Sequence, residues 1–233
     1  MKFNFKLLIL SILLIISSFS YALEIKNIQL FDSKRNRAIP VVIYQDEKEE
    51  KLPVVIINHG YGVKNTEYSF IANELAARGY FVVSIQHDLE TDKPLSRTGN
   101  LFERRKPLWE RGVQNILFII TELKKTNPNL NVDKVILIGH SNGGDISMMF
   151  TDKYSGKVSK VISLDSLRYP FPSEKGVPIL HFSANDTKSD PGVVPDKGVE
   201  TIIIEGAKHI YLSDRGGPRI NEEILKSIIH FLK

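Results

Sequence analysis

Apolar positions along the chain follow two rhythms. Leu23 to Phe31 and Ala38 to Tyr44 read as short strands joined by the polar turn Asp32-Ser33-Lys34-Arg35-Asn36. After the charged turn Gln45 to Lys51, Pro53-Val54-Val55-Ile56-Ile57-Asn58 is a continuous apolar run, the kind buried on both faces of a parallel sheet. Tyr80 to Gln86, Val135 to Ile138, Val158 to Leu164, Val177 to Phe182 and Val199 to Glu205 repeat that kind of run. Helical spacing fills the intervals. Ser69 to Arg78 carries Phe70, Ile71, Leu75 and Ala76 and stops at Gly79. Leu108 to Lys125 sets Val113, Ile116, Leu117, Ile120 and Leu123 on one face. Ile146, Met148, Met149 and Phe150 mark a helix after the Ile138 strand, and a last amphipathic helix spans Asn221 to Phe231. Two strands followed by repeated strand–helix units predict an α/β fold, a mostly parallel, doubly wound sheet with helices on both faces. The one long irregular connection, Leu89 to Lys106, reads as a small flap, and no segment is long enough for a large inserted cap.

Function in such folds collects at the carboxyl ends of the strands. The stretch there that organises the chain is Gly139-His140-Ser141-Asn142-Gly143. G-x-S-x-G between a buried strand and a helix is a nucleophile elbow, the motif of α/β-hydrolases. The serine sits at the tip of a strained turn, and a Cβ at Gly139 or Gly143 would strike neighbouring backbone. The bare pattern also occurs in ordinary glycine turns; its flanking strand and helix give it meaning here. His59-Gly60-Tyr61-Gly62 ends the third strand, where this architecture draws a second oxyanion donor. The backbone N–H groups of Tyr61 and Asn142 are therefore the expected oxyanion hole. The Tyr61 side chain is a candidate for the acyl pocket.

Of six histidines, His209 follows the last strand and comes last in the order serine, acid, histidine. An imidazole there, with an ordinary pKa near ~6.5, can take and return a proton near neutrality. His140 and His230 read as structural and His181 as a core residue. His87, beside Asp88, is placed near the pocket rim. The acid has three candidates from position alone: Asp165, which ends the strand after the elbow helix, Asp186, which follows the next strand, and Asp190 a few residues on.

From Val54 to about Asp214 the chain resembles the platelet-activating-factor acetylhydrolase and polyester-hydrolase (cutinase-like) branches of the α/β-hydrolases. The resemblance is carried by His59-Gly60-x-Gly62, Leu75-Ala76-x-x-Gly79-Tyr80-Phe81-Val82-Val83 and Gly139-His140-Ser141-x-Gly143-Gly144, with Leu164-Asp165-x-x-x-Tyr169-Pro170 and Gly206-x-x-His209-x-x-Leu212-Ser213-Asp214. The acetylhydrolase pattern implies Asp165 as the acid, and the polyester-hydrolase pattern implies Asp186. The residues around His209 and after Asp165 look more like the former, which favours Asp165. The motifs imply a superfamily and no particular substrate.

Composition narrows the partners. No cysteine is present, which excludes disulfides, thiolate metal sites and a cysteine nucleophile. The net charge of +4 is spread among interspersed acids and bases, so no nucleic-acid footprint appears. The densest basic run, Arg104-Arg105-Lys106, reads as a solvated face beside Glu103 and Glu110. Lys2 and Lys6, the apolar stretch Leu7 to Ile16 and the small residues of Ser20-Tyr21-Ala22 have the form of an export signal cleaved after Ala22. The apolar stretch is short of the ~20 residues a spanning helix needs, so no stable membrane anchor is expected after cleavage. Residues 23–233 then form one domain, in the periplasm or secreted.

The expected chemistry is carboxylic-ester hydrolysis through an acyl-enzyme on Ser141, with no metal or organic cofactor. The substrate is a small molecule with a short acyl chain or an exposed ester of something larger. Two alternatives stand beside it: amide, peptide or thioester cleavage with the same triad, and a non-catalytic binding protein on a hydrolase scaffold, which needs a triad member to be lost or misplaced.

Overall fold

The computed structural model describes residues 23–46 and 52–233; the expected export signal lies outside them, as does much of the charged turn before the third strand. Twelve principal elements follow in chain order. They are β1 (Glu24–Asp32), β2 (Arg37–Gln45), β3 (Pro53–Asn58), α1 (Ser69–Ala77), β4 (Phe81–Ile85) and α2 (Leu101–Thr126). Then come β5 (Asn131–His140), α3 (Asn142–Tyr154), β6 (Val158–Leu164), β7 (Ile179–Ser183), β8 (Glu200–Ile203) and α4 (Gly217–Leu232). The eight strands make one sheet in the order β1-β2-β4-β3-β5-β6-β7-β8. β1–β2 and β2–β4 pair antiparallel, and every later pair is parallel.

The strand period of two sorts the core into two layers. Val54 and Ile56 of β3 face one side, with Val113, Ile116 and Ile119 of α2 and Ile146 and Phe150 of α3. Val55 and Ile57 face the other, with Ile71 and Leu75 of α1 and Ile220, Ile224 and Ile228 of α4. Helices therefore cover both faces, as the uninterrupted apolar runs of the central strands require. Since β3 lies beside β5, with Asn58 in register with Gly139, the loop after β3 reaches the turn after β5.

The largest departure from the sequence reading is α2. It begins at Leu101 rather than Leu108, so the expected flap over Leu89 to Lys106 loses its second part to helix. Asn100 caps the extra turns by accepting from the Phe102 and Glu103 N–H groups at 2.9 and 3.2 Å. Pro107 lies inside the helix, at its seventh residue, and forfeits the backbone bond to the Glu103 carbonyl. Phe102 packs edge-on against Trp109 at 5.0 Å and stacks on Tyr169, which anchors the added turns. Among the described residues no helix is long and apolar enough to cross a membrane.

Candidate active site

β5 runs out at His140 and α3 starts at Asn142, so Ser141 alone makes the turn. Its φ of 52° and ψ of −119° place a non-glycine residue in sparsely allowed backbone space. The neighbours hold it there. The Ser141 N–H donates to the Leu164 carbonyl at 2.9 Å, and the Ser141 carbonyl accepts from the Asp145 N–H at 3.0 Å. The glycines behave as the spacing requires. A Cβ on Gly139 would come within 2.3 Å of the Gly143 carbonyl oxygen, and one on Gly143 within 2.1 Å of the Asn58 carbonyl oxygen. Asn142 opens α3, where the first N–H groups have no intrahelical acceptor and the helix dipole is positive.

His209 lies in a short 3₁₀ turn after β8, and its Nδ1 is 2.6 Å from Asp165 Oδ2. Asp165 directly follows β6, with φ of 56°, and is buried. Burial opposes its charge, but the bonds from His209 and Thr187 outweigh that and hold the carboxyl below its ordinary range. The Thr187 hydroxyl donates to Oδ2, and the Ala184 N–H donates to Oδ1 at 3.2 Å. Asp186 takes a different part. It is exposed, and its Oδ1 accepts the backbone N–H of His209 at 2.6 Å. Asp190 pairs with Arg168 at 3.0 Å and does not reach His209.

Ser141 and His209 line the same cavity of about 90 Å³, with Gly60, Tyr61, Tyr68 and Ile210. Tyr61 thus lines it as the sequence suggested, 39% exposed. The floor is a chain of hydrogen bonds. The Gly60 N–H donates to the Tyr68 hydroxyl oxygen at 3.0 Å, and that hydroxyl bonds His140 Nδ1 at 2.8 Å. His140 Nε2 is 3.0 Å from the His209 carbonyl, which can only accept. The proton of His140 therefore sits on Nε2, and Tyr68 donates to Nδ1. Burial, with His209 adjacent, pushes the His140 pKa down to about 3, so the ring stays neutral. His140 is structural, as read, and its work is to tie the loop after β3 to the loop of His209.

Two readings need correction. His87 is not at the rim: it is fully buried, with Nε2 2.9 Å from Asn58 Oδ1 and Nδ1 3.3 Å from Asn115 Nδ2. His59, its neighbour in the same buried network, accepts the His87 N–H at 2.7 Å. Nor is the basic run wholly solvated. Lys106 is exposed, but Arg105 turns inward, its Nη1 3.3 Å from Asn142 Oδ1 and its guanidinium carbon 5.3 Å from the Tyr61 ring centre. His181 is a core residue, as expected, bonded to Ser163 at 3.0 Å with its pKa depressed to about 4 by burial.

Asp145, four residues past Ser141, belongs to no motif the sequence shows. It is buried, and its Oδ1 accepts the N–H groups of Arg168 and Tyr169 at 3.0 Å each, tying α3 to the loop after Asp165. Burial raises its carboxyl to about 6 against those bonds and the nearby Arg105 charge. The folded chain therefore holds this proton more tightly than the unfolded chain does. The resulting cost is absent below about pH 4, grows as the pH rises, and is fully present above about pH 6. Asp145→Asn keeps an oxygen for both N–H groups. We expect its stability relative to the parent to improve by up to about 3 kcal/mol between pH 4 and pH 7 in urea unfolding. A difference independent of pH would contradict this.

A mostly parallel sheet with helices on both faces, a strained serine after its fifth strand and an Asp–His pair drawn from the loops after β6 and β8 define the α/β-hydrolase fold. No cap domain is inserted among the described residues. Residues 14–178 match the chlorophyllase family, and the chain belongs to that family. That match includes Ser141 and Asp165 and stops before His209. Platelet-activating factor acetylhydrolase of Cavia porcellus is 27% identical over 209 residues, covering 69% of this chain and 48% of the relative. The chain spans about half the length, or less, of the curated relatives it matches. A fungal esterase from Rhizomucor miehei superposes with a TM-score of 0.66 at 14% identity, over 91% of this chain and 82% of that one. Ferulic acid esterase from Streptomyces cinnamoneus gives 0.65 at 14% identity, over 85% and 78%.

Proposed function

We propose that this protein is a serine hydrolase of carboxylic esters, with Ser141, His209 and Asp165 as its triad. The observation that carries the reading is the Asp165–His209 pair, closed at 2.6 Å, on the same small cavity as a serine with φ of 52°. Asp165 accepts from Nδ1–H and so leaves Nε2 unprotonated, the tautomer a general base needs. Ser141 Oγ adds to the ester carbonyl carbon while its proton passes to His209 Nε2. The oxyanion is received by the N–H groups of Tyr61 and Asn142. Collapse expels the alcohol, which takes the proton from Nε2. Water then attacks the acyl-enzyme with His209 again as base, releasing the acid and restoring Ser141.

The names of the relatives, acetylhydrolase among sequences and esterase among structures, support the ester as the bond cleaved. The substrate class we infer is small molecules or exposed esters, with short acyl groups. A cavity of about 90 Å³ supports the short acyl group, since an extended eight-carbon chain would have to run out of it. The Glu67–Arg215 ion pair, at 2.9 Å, stands at its edge. With p-nitrophenyl acetate, butyrate and octanoate, kcat/KM should fall along the series. The acetate should exceed the octanoate by about tenfold or more, on the scale of small steric mismatches in acyl pockets. A rising series would contradict the short-chain assignment. Export, read from the first 22 residues, belongs to the same proposal and rests on their charge and hydropathy pattern.

A further inference from the structure

The basic run at the start of α2 has no part in the mechanism above, yet one of its members touches both residues assigned to the oxyanion hole. Arg105 Nη1 lies 3.3 Å from Asn142 Oδ1, and the Arg105 guanidinium sits 5.3 Å from the Tyr61 ring centre, within cation–π range. Trp109, one turn further along the helix, donates its indole N–H to the same Asn142 oxygen at 2.9 Å. Arginine and tryptophan only donate, so Oδ1 must be the atom facing them and the Asn142 amide is held in one orientation. Tyr61 is held from a second side, its hydroxyl accepting the Leu95 N–H at 3.2 Å. Cap, aromatic packing and helix together make the platform from which Arg105 reaches out.

We infer that Arg105 is a positioning residue for the oxyanion site, gripping Tyr61 by its ring and Asn142 by its side-chain oxygen so that their backbone N–H groups converge. The inference rests on the ester-hydrolase reading. Asn142 follows the nucleophile directly, and Tyr61 lies in the glycine-flanked loop after β3, next to Gly60, whose N–H is bonded to the Tyr68 hydroxyl. An oxyanion hole stabilises charge only if its donors are in place before the charge develops. Arg105 also brings a fixed positive charge, partly buried and balanced by Asp145, to the side of the site where negative charge forms. The grip needs a planar cation that can stack and donate at once, which arginine supplies and lysine supplies only in part.

The test compares the parent with Arg105→Met and Arg105→Lys. Met keeps the length and apolar stem; Lys restores charge without the fork. Arg105→Met should lower kcat by about tenfold to a hundredfold, short of removing a donor outright, with KM within about twofold. Arg105→Lys should recover part of the loss. Thermal unfolding should stay near the parent's for both. Amide hydrogen exchange at Tyr61 and Asn142, followed by NMR, should speed up in Arg105→Met and partly slow again in Arg105→Lys. Parental kcat in Arg105→Met overturns the inference, as does a fall in kcat that follows a fall in melting temperature without rescue by lysine. Absence of Ser141-dependent turnover in the parent would count against the hydrolase reading itself. The exchange comparison still decides the grip in that case, since unchanged amides at Tyr61 and Asn142 overturn it without any substrate.

Discussion

Asp165→Asn should lower kcat by about 10⁴, the loss seen when the same exchange is made in a comparable triad. The reason lies in who donates to this carboxylate. The Ala184 N–H is 3.2 Å from Oδ1, and on the other oxygen His209 Nδ1 stands at 2.6 Å beside the Thr187 hydroxyl, which can rotate to accept instead of donate. An asparagine settles with its oxygen toward Ala184 and its NH₂ toward His209. Nδ1 must then accept, the ring proton moves to Nε2, and the base that should deprotonate Ser141 is already protonated. Geometry is kept while the tautomer is wrong, so KM should change little. Asp186→Asn is the control within the same loop cluster. Asp186 meets His209 only at the backbone N–H, at 2.6 Å, and an asparagine oxygen accepts that bond equally well. Its kcat should stay within about threefold of the parent, the scale of one neutral hydrogen bond. Steady-state kinetics of the two variants side by side decides the matter. If Asp186→Asn proved the crippled one, the assignment of Asp165 would be wrong.

The parts of this site that the sequence discloses are those with a local signature. Gly139 and Gly143 mark the elbow because both positions touch backbone, and no neighbour can move aside to admit a Cβ. Asp165 and His209 stand at strand ends that the apolar runs of β6 and β8 delimit, so their neighbourhood follows once a parallel sheet is assumed. The two layers of the core follow in the same way from alternation along β3 and the helical spacing of α1, α2 and α4.

What stays hidden is made by contacts between distant side chains. Trp109 and Asn142 are 33 residues apart, Tyr68 and His140 are 72 apart, and Thr187 and Asp165 are 22 apart. No period or spacing marks such pairs, and each residue type is common in other roles. The start of α2 was lost for a local reason. Pro107 argues against carrying the helix back through this stretch, and the asparagine cap with Phe102 packed on Trp109 overrides it. Only with the helix begun at Leu101 does Arg105 come to face Asn142 and Tyr61. His87 was misplaced because a strand-end histidine next to an aspartate looks like a rim residue, whereas Asn58 and Asn115 supply it with buried partners.

The central claim is that Ser141 is the nucleophile, and one measurement reaches it most directly: turnover of p-nitrophenyl acetate by the parent and by Ser141→Ala, with covalent labelling by a p-nitrophenyl phosphonate followed in both. Removing the nucleophile of such a triad costs about 10⁶ in kcat, because the base and the oxyanion donors have nothing to act on without it. The account predicts turnover in the parent and none above background in Ser141→Ala. It also predicts one phosphonyl group per chain, attached at Ser141 and absent from the variant. Turnover that survives in Ser141→Ala, or a label that settles on another residue, would contradict it.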